Sequence, residues 1–133
     1  VKRQSPLQPT LSGPQFRKLV DGQLKEAPWQ KQVGQLLDLH RYWWMHIPSN
    51  VVVCEQCHHK NYRGIQRGFP DILAIRPPFI LWIELKTERG TVEPEQREVG
   101  AMLLECGQIW IVARPRDRQT LLTLIAHPET FVP

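Results

Sequence analysis

The sequence contains no apolar run that approaches the length of a membrane span, and its N-terminal region lacks the unbroken apolar stretch of a signal peptide. Those absences lead to the expectation of an intracellular, cytoplasmic protein with no membrane partner. Cysteine is scarce, with three in 133 residues. The odd number argues against a disulfide framework and for a reducing compartment. Internal repeats and low-complexity tracts are also missing, which argues against solenoids and arrays. Neither sign of charge dominates: Lys and Arg outnumber Asp and Glu by 17 to 13. That excess is compatible with a phosphate-backbone partner, although many basic proteins bind no nucleic acid. The length suits one domain with a real core and leaves little room for a second.

What is there concentrates between Gly68 and Lys86. Gly68-Phe69-Pro70-Asp71 reads as a Pro-induced turn ending in a carboxylate. An apolar stretch follows, and then Glu84-Leu85-Lys86. Side chains alternate along a strand, so Trp82, Glu84 and Lys86 share one face while Leu81, Ile83 and Leu85 share the other. Two carboxylates and an ammonium thus meet at the end of a greasy β-hairpin. A buried charge needs a partner, a metal or solvent. The plain alternative is a Glu-Lys pair that marks where the strand leaves the core. Carboxylate oxygens are the ligands of hard divalent cations, above all Mg²⁺, and a lysine beside them can orient a water or offset charge on a phosphate.

Punctuation and periodicity give an α/β order. Residues 1–25 read as an irregular N-terminal arm, rich in Pro, with a short helix through Phe16, Leu19, Val20 and Leu24. Residues 26–133 read as a single domain. Pro28 suits a first helical turn, and Trp29, Val33, Leu36 and Leu37 follow at helical spacing up to about Arg41. Strands are expected over 42–47, 71–76 and 79–86, the last two joined tightly through Pro77-Pro78. A helix is expected over 94–106 with Gly107 as its left-handed terminator, then a strand over 108–113 and a closing helix over 120–126. Residues 50–67 read as an inserted polar loop.

Arg67-Gly68-Phe69-Pro70-Asp71, Glu84-Leu85-Lys86-Thr87 and Pro94-Glu95-Gln96 together resemble the VRR-NUC family of the PD-(D/E)xK nuclease superfamily. The resemblance runs from about Glu26 to about Pro115. It implies a restriction-endonuclease-like core of order αβββαβ, a mixed sheet flanked by helices. Asp71 and Glu84 would hold Mg²⁺ or Mn²⁺ with the backbone carbonyl of Leu85, and Lys86 would assist the attacking water. Gln96, at the start of the next helix, would support the site. Glu26, followed one turn later by Gln30, would complete the catalytic cluster and could contribute to metal binding.

Two of these residues also have plain readings. Glu26 stands at a helix head, where an acid is favoured by the dipole alone. Gln96 lies close to Thr91-Val92-Glu93-Pro94, which has the chemistry of a helix start, and its plain reading is a cap or a water-facing side chain.

In the insertion, Cys54-Glu55-Gln56-Cys57-His58-His59 has the Cys-x2-Cys spacing of a zinc knuckle, with Cys54, Cys57 and His59 as ligands, but a closed site needs a fourth. The other reading is a loop whose Lys60, Arg63 and Arg67, with Arg89 from the turn after Lys86, touch DNA. The five tryptophans read mainly as core.

The expected activity is hydrolysis of DNA phosphodiester bonds by a structure-selective endonuclease resembling junction-resolving enzymes, and the resemblance implies a homodimer on branched DNA. A restriction-like or nicking nuclease without junction preference is the nearer alternative. A zinc-stapled, non-catalytic nucleic-acid-binding module is the further one.

Overall fold

The computed structural model describes residues 26–48, 51–53, 56–57, 60–62 and 66–133. The expected N-terminal arm and short helix lie outside the described residues. Helix α1 (Glu26–Leu39) presents Trp29, Val33 and Leu37 as a fully buried stripe at four-residue spacing. Pro28 falls in its first turn, where a missing N–H leaves no bond unmade. The helix ends before Arg41, which takes φ 63°. The Arg41 N–H is donated to Asp38 and that of Tyr42 to Leu37, the paired bonds of a Schellman terminus.

Strand β1 (Trp43–His46) follows, then a short antiparallel pair, β2 (Val51–Val53) with β3 (Lys60–Tyr62). Strands β4 (Ile72–Arg76) and β5 (Phe79–Leu85) form a hairpin whose turn contains a cis Pro77–Pro78 bond. Helix α2 (Pro94–Glu105) crosses over to β6 (Ile109–Ala113), and α3 (Arg118–Ala126) closes the domain after a 3₁₀ turn at Pro115–Asp117. The main sheet has the order β1-β4-β5-β6. Its first two pairings are antiparallel, and β5 with β6 is parallel. A mixed α/β sheet is therefore present, as expected.

Alternation along β5 separates the two faces. Leu81, Ile83 and Leu85 join Ile72 and Ala74 of β4, Ile109 and Ala113 of β6, and the stripes of α1 and α3 in one buried cluster. Burying a side chain of this size stabilises by roughly 1.5–3 kcal/mol. The opposite face carries Trp82 and Glu84 beside Trp110 and Val112. Helix α2 lies on that face, with Gly100 against the Trp110 ring so closely that a Cβ would collide with it.

Element bounds differ from expectation in small ways. Helix α1 starts two residues before Pro28 and stops short of Arg41, and α3 starts at Arg118 rather than Thr120. The larger difference is in the insertion expected as a loop, where Val51–Val53 and Lys60–Tyr62 pair into a two-stranded ladder. Three successive β-branched valines are a strand signal that the neighbouring polar residues obscured.

Candidate active site

Asp71 lies just outside β4. The β4–β5 register pairs Ile72 with Ile83, so its continuation would set Asp71 opposite Glu84. The ladder slips instead: the Asp71 N–H is donated to the Ile83 carbonyl at 3.1 Å, one residue short of that register. The Asp71 carboxylate replaces the lost ladder bond, with Oδ2 accepting the Leu85 N–H at 2.7 Å. The Asp71 carbonyl in turn accepts the Ile47 N–H at 2.7 Å. Three bonds thus hold a partly exposed carboxylate at the C-terminal end of β5.

Glu84 is a charged residue buried to 1% exposure. Its Oε1 accepts a hydrogen bond from Gln96 Nε2 at 2.6 Å and lies 3.8 Å from Lys86 Nζ. Lys86 is mostly covered, with 16% of its side chain exposed. The expected shared face of Glu84 and Lys86 is therefore present. Gln96 is both a cap residue and a hydrogen-bond partner of Glu84. Glu93 is the N-cap of α2, and its N–H is donated to Gln96 Oε1 at 2.8 Å in a capping box. An N–H can only donate, so the cap turns the amide oxygen toward Glu93 and the amide nitrogen toward the Glu84 carboxylate. Helix start and acidic site are aligned by one side chain.

Contacts that no motif announced hold the surroundings. Arg67 Nε lies 3.6 Å from Glu95 Oε1, and Gly68, at φ 92°, sits so near the backbone of Glu95 that a Cβ would approach its carbonyl oxygen to 2.5 Å. Phe69 meets Trp82 edge to face with centroids 5.4 Å apart. The turn before Asp71 is thereby docked on the start of α2. On the other side, the Ala113 carbonyl accepts both the Lys86 N–H at 3.0 Å and Trp29 Nε1–H at 2.9 Å. Arg114 Nη1 donates to the carbonyls of Thr87 and Gly90 in the turn after Lys86.

The remaining expected site residues are less gathered. Glu26 opens α1, but its side chain lies outside the described residues, as do those of Cys54, His59, Lys60 and Arg63. Cys57 is exposed. Arg67 is paired with Glu95, and Arg89 is exposed. Among the described residues no group of three His, Cys, Asp or Glu side chains is placed to hold a metal. By donor type, the Asp71 and Glu84 carboxylates and the Leu85 carbonyl are the oxygen ligands that a magnesium-type ion takes, since it binds one or two carboxylates and keeps water for its other positions. They do not fit a closed zinc site, which needs four soft or imidazole-type ligands.

The partners of Arg114 and Glu95 could not be read from the sequence, because they are distant along the chain or lie in a turn, and no spacing rule reaches them. Compared with models of protein families, with curated proteins and with solved structures, the chain matches none.

Proposed function

We propose that this chain is a Mg²⁺- or Mn²⁺-dependent endodeoxyribonuclease of the VRR-NUC kind, with a restriction-endonuclease-like core, acting on branched DNA as a homodimer. One observation carries the reading: Gln96, Glu84 and Lys86 form a continuous polar chain on a face that is otherwise apolar, at the strand end where Asp71 is held. A purely structural Glu-Lys pair has no need of a helix cap aimed at the carboxylate, nor of a second carboxylate tied to the same strand end. Burial of an ion pair is also a poor source of stability in itself, which favours a role beyond the fold.

When bound, a divalent cation supplies charge neutralisation at the scissile phosphate and a more acidic water. Asp71, Glu84 and the Leu85 carbonyl are the groups that would hold it. Gln96 keeps the Glu84 carboxylate oriented. Lys86 stands where its ammonium can orient a water and offset the negative charge that grows on the phosphate oxygens. The parallel β5–β6 pairing keeps Lys86 anchored through the Ala113 carbonyl while its side chain does this.

The test is cleavage of labelled DNA by the wild-type chain and by Asp71→Ala, with binding followed separately. The proposal expects cutting that disappears with EDTA and in the variant while DNA binding persists. Binding that needs no divalent cation, with no cutting by either protein, would favour the non-catalytic binding module.

A further inference from the structure

Arg114 is a basic residue in a protein proposed to bind DNA, yet its guanidinium is committed inward. Nη1 donates to the Thr87 carbonyl at 2.8 Å and to the Gly90 carbonyl. Thr87 O also accepts the Gly90 N–H at 3.3 Å, so the guanidinium closes a turn that has already folded on itself. That turn lies against the lysine it follows: a Cβ on Gly90 would stand 3.5 Å from Lys86 Cδ and 3.0 Å from Thr87 Oγ1. The backbone of Arg114 adjoins Ala113, whose carbonyl accepts the Lys86 N–H. Arg114 therefore grips the Lys86 segment from both sides, through the neighbouring backbone and through the turn packed on the lysine stem.

We propose that Arg114 is a positioning residue for Lys86, clamping the Thr87–Gly90 turn so that the ammonium stays beside Glu84. The inference rests on the nuclease reading for its functional consequence but not for the clamp itself. Both bonds leave one nitrogen, Nη1, which the planar guanidinium holds at a fixed place one atom farther from the backbone than a lysine ammonium reaches. Arg114→Lys, which keeps the charge, should thus fail to restore what Arg114→Gln loses. A cation that merely contacted phosphate would be largely replaced by lysine.

The experiment uses the full chain and compares wild type, Arg114→Lys and Arg114→Gln. Three quantities are measured: the single-turnover cleavage rate of a four-way DNA junction at saturating protein in Mg²⁺, the Kd for that junction without divalent cation across a salt series, and hydrogen exchange of the Lys86–Gly90 amides. The expected result is a loss of roughly ten- to hundredfold in the cleavage rate for both variants, the scale set by a small misplacement of a reacting group. Kd and its salt slope should stay unchanged, and exchange should accelerate at Gly90 but not at Ile83. Wild-type rates and protection in Arg114→Gln would overturn the proposal. So would a weakened Kd with a reduced salt slope that Arg114→Lys repairs, since that marks a phosphate contact. If the wild-type chain cuts nothing, the nuclease reading fails, and the exchange arm still decides whether the clamp exists.

Discussion

Asp71 joins two roles in one carboxylate, a structural acceptor for the Leu85 N–H and a proposed metal ligand, and substitution can separate them. An asparagine retains an acceptor oxygen of similar reach, so Asp71→Asn should keep stability within about 1 kcal/mol of wild type. Without the charge, cleavage should fall by at least about a hundredfold. Asp71→Ala should lose both, at a cost of about 1–3 kcal/mol for the stranded N–H. Thermal denaturation beside a cleavage assay checks the pair, and equal destabilisation by both variants would count against the hydrogen-bond account.

Gln96→Ala carries a different signature. It removes the bond to the Glu93 N–H and the bond to Glu84 together. Cleavage should therefore fall along with a stability loss of about 1 kcal/mol from the cap. At this scale the placing of Glu84 and Lys86 on one face, with Asp71 at the same strand end, could be read from the sequence, because a period-two strand ending in charges admits few arrangements. The capping half of Gln96 was equally visible. The clamp by Arg114 and the Arg67–Glu95 pair were not, because they join segments whose proximity only the folded sheet creates.

Elements were legible wherever a periodic stripe was bounded by a turn residue. Gly107 ends α2 with φ 74°, in the Schellman arrangement expected of it. The same motif ends α1 with Arg41 in the left-handed region, where a side chain costs roughly 1–2 kcal/mol. Lacking a glycine, that terminus gave no signal in the sequence, and the helix was read as two residues too long. Arg41→Gly is expected to raise the stability of the fold by up to about 1 kcal/mol, measurable as a higher urea midpoint with unchanged slope. An unchanged or lower midpoint would show that the Arg41 side chain contributes more than its backbone strain removes. Gly100 behaves oppositely. It lets α2 sit down on Trp110, and Gly100→Ala should destabilise by about 1–3 kcal/mol through overpacking, despite the better helix propensity of alanine. It should also lower activity by lifting Gln96 from Glu84.

The whole molecule is tied together away from the site by Tyr42 and Arg76. Tyr42 OH donates to the Ile125 carbonyl at 2.8 Å, and the Arg76 guanidinium lies 4.6 Å from the centre of its ring. Arg76 also donates to the carbonyls of His40 and Ala126. The ends of α1 and α3 are thereby held to β4. Burial raises the ionisation of the Tyr42 phenol above its ordinary value, against the lowering effect of Arg76. A raised value in the folded state means that this contribution is whole below the unfolded value of about 10 and is lost as pH climbs through the higher folded one. Stability should therefore drop on the alkaline side. Tyr42→Phe should cost about 1 kcal/mol at neutral pH and remove that part of the drop, as melting temperatures from pH 7 to 11 would register.

At the same scale, no helix among the described residues is long and apolar enough to cross a membrane. The four strands of the main sheet and their order along the chain were legible in the sequence, whereas the paired strands inside the insertion were not. The measurement that bears most directly on the central claim is cutting of labelled four-way junction, flap, duplex and single-stranded DNA in Mg²⁺ or Mn²⁺, by wild type and by Lys86→Ala. The account predicts paired, symmetric cuts in the junction that vanish in the variant and in EDTA. The absence of metal-dependent cutting of every substrate by the wild-type chain would contradict it.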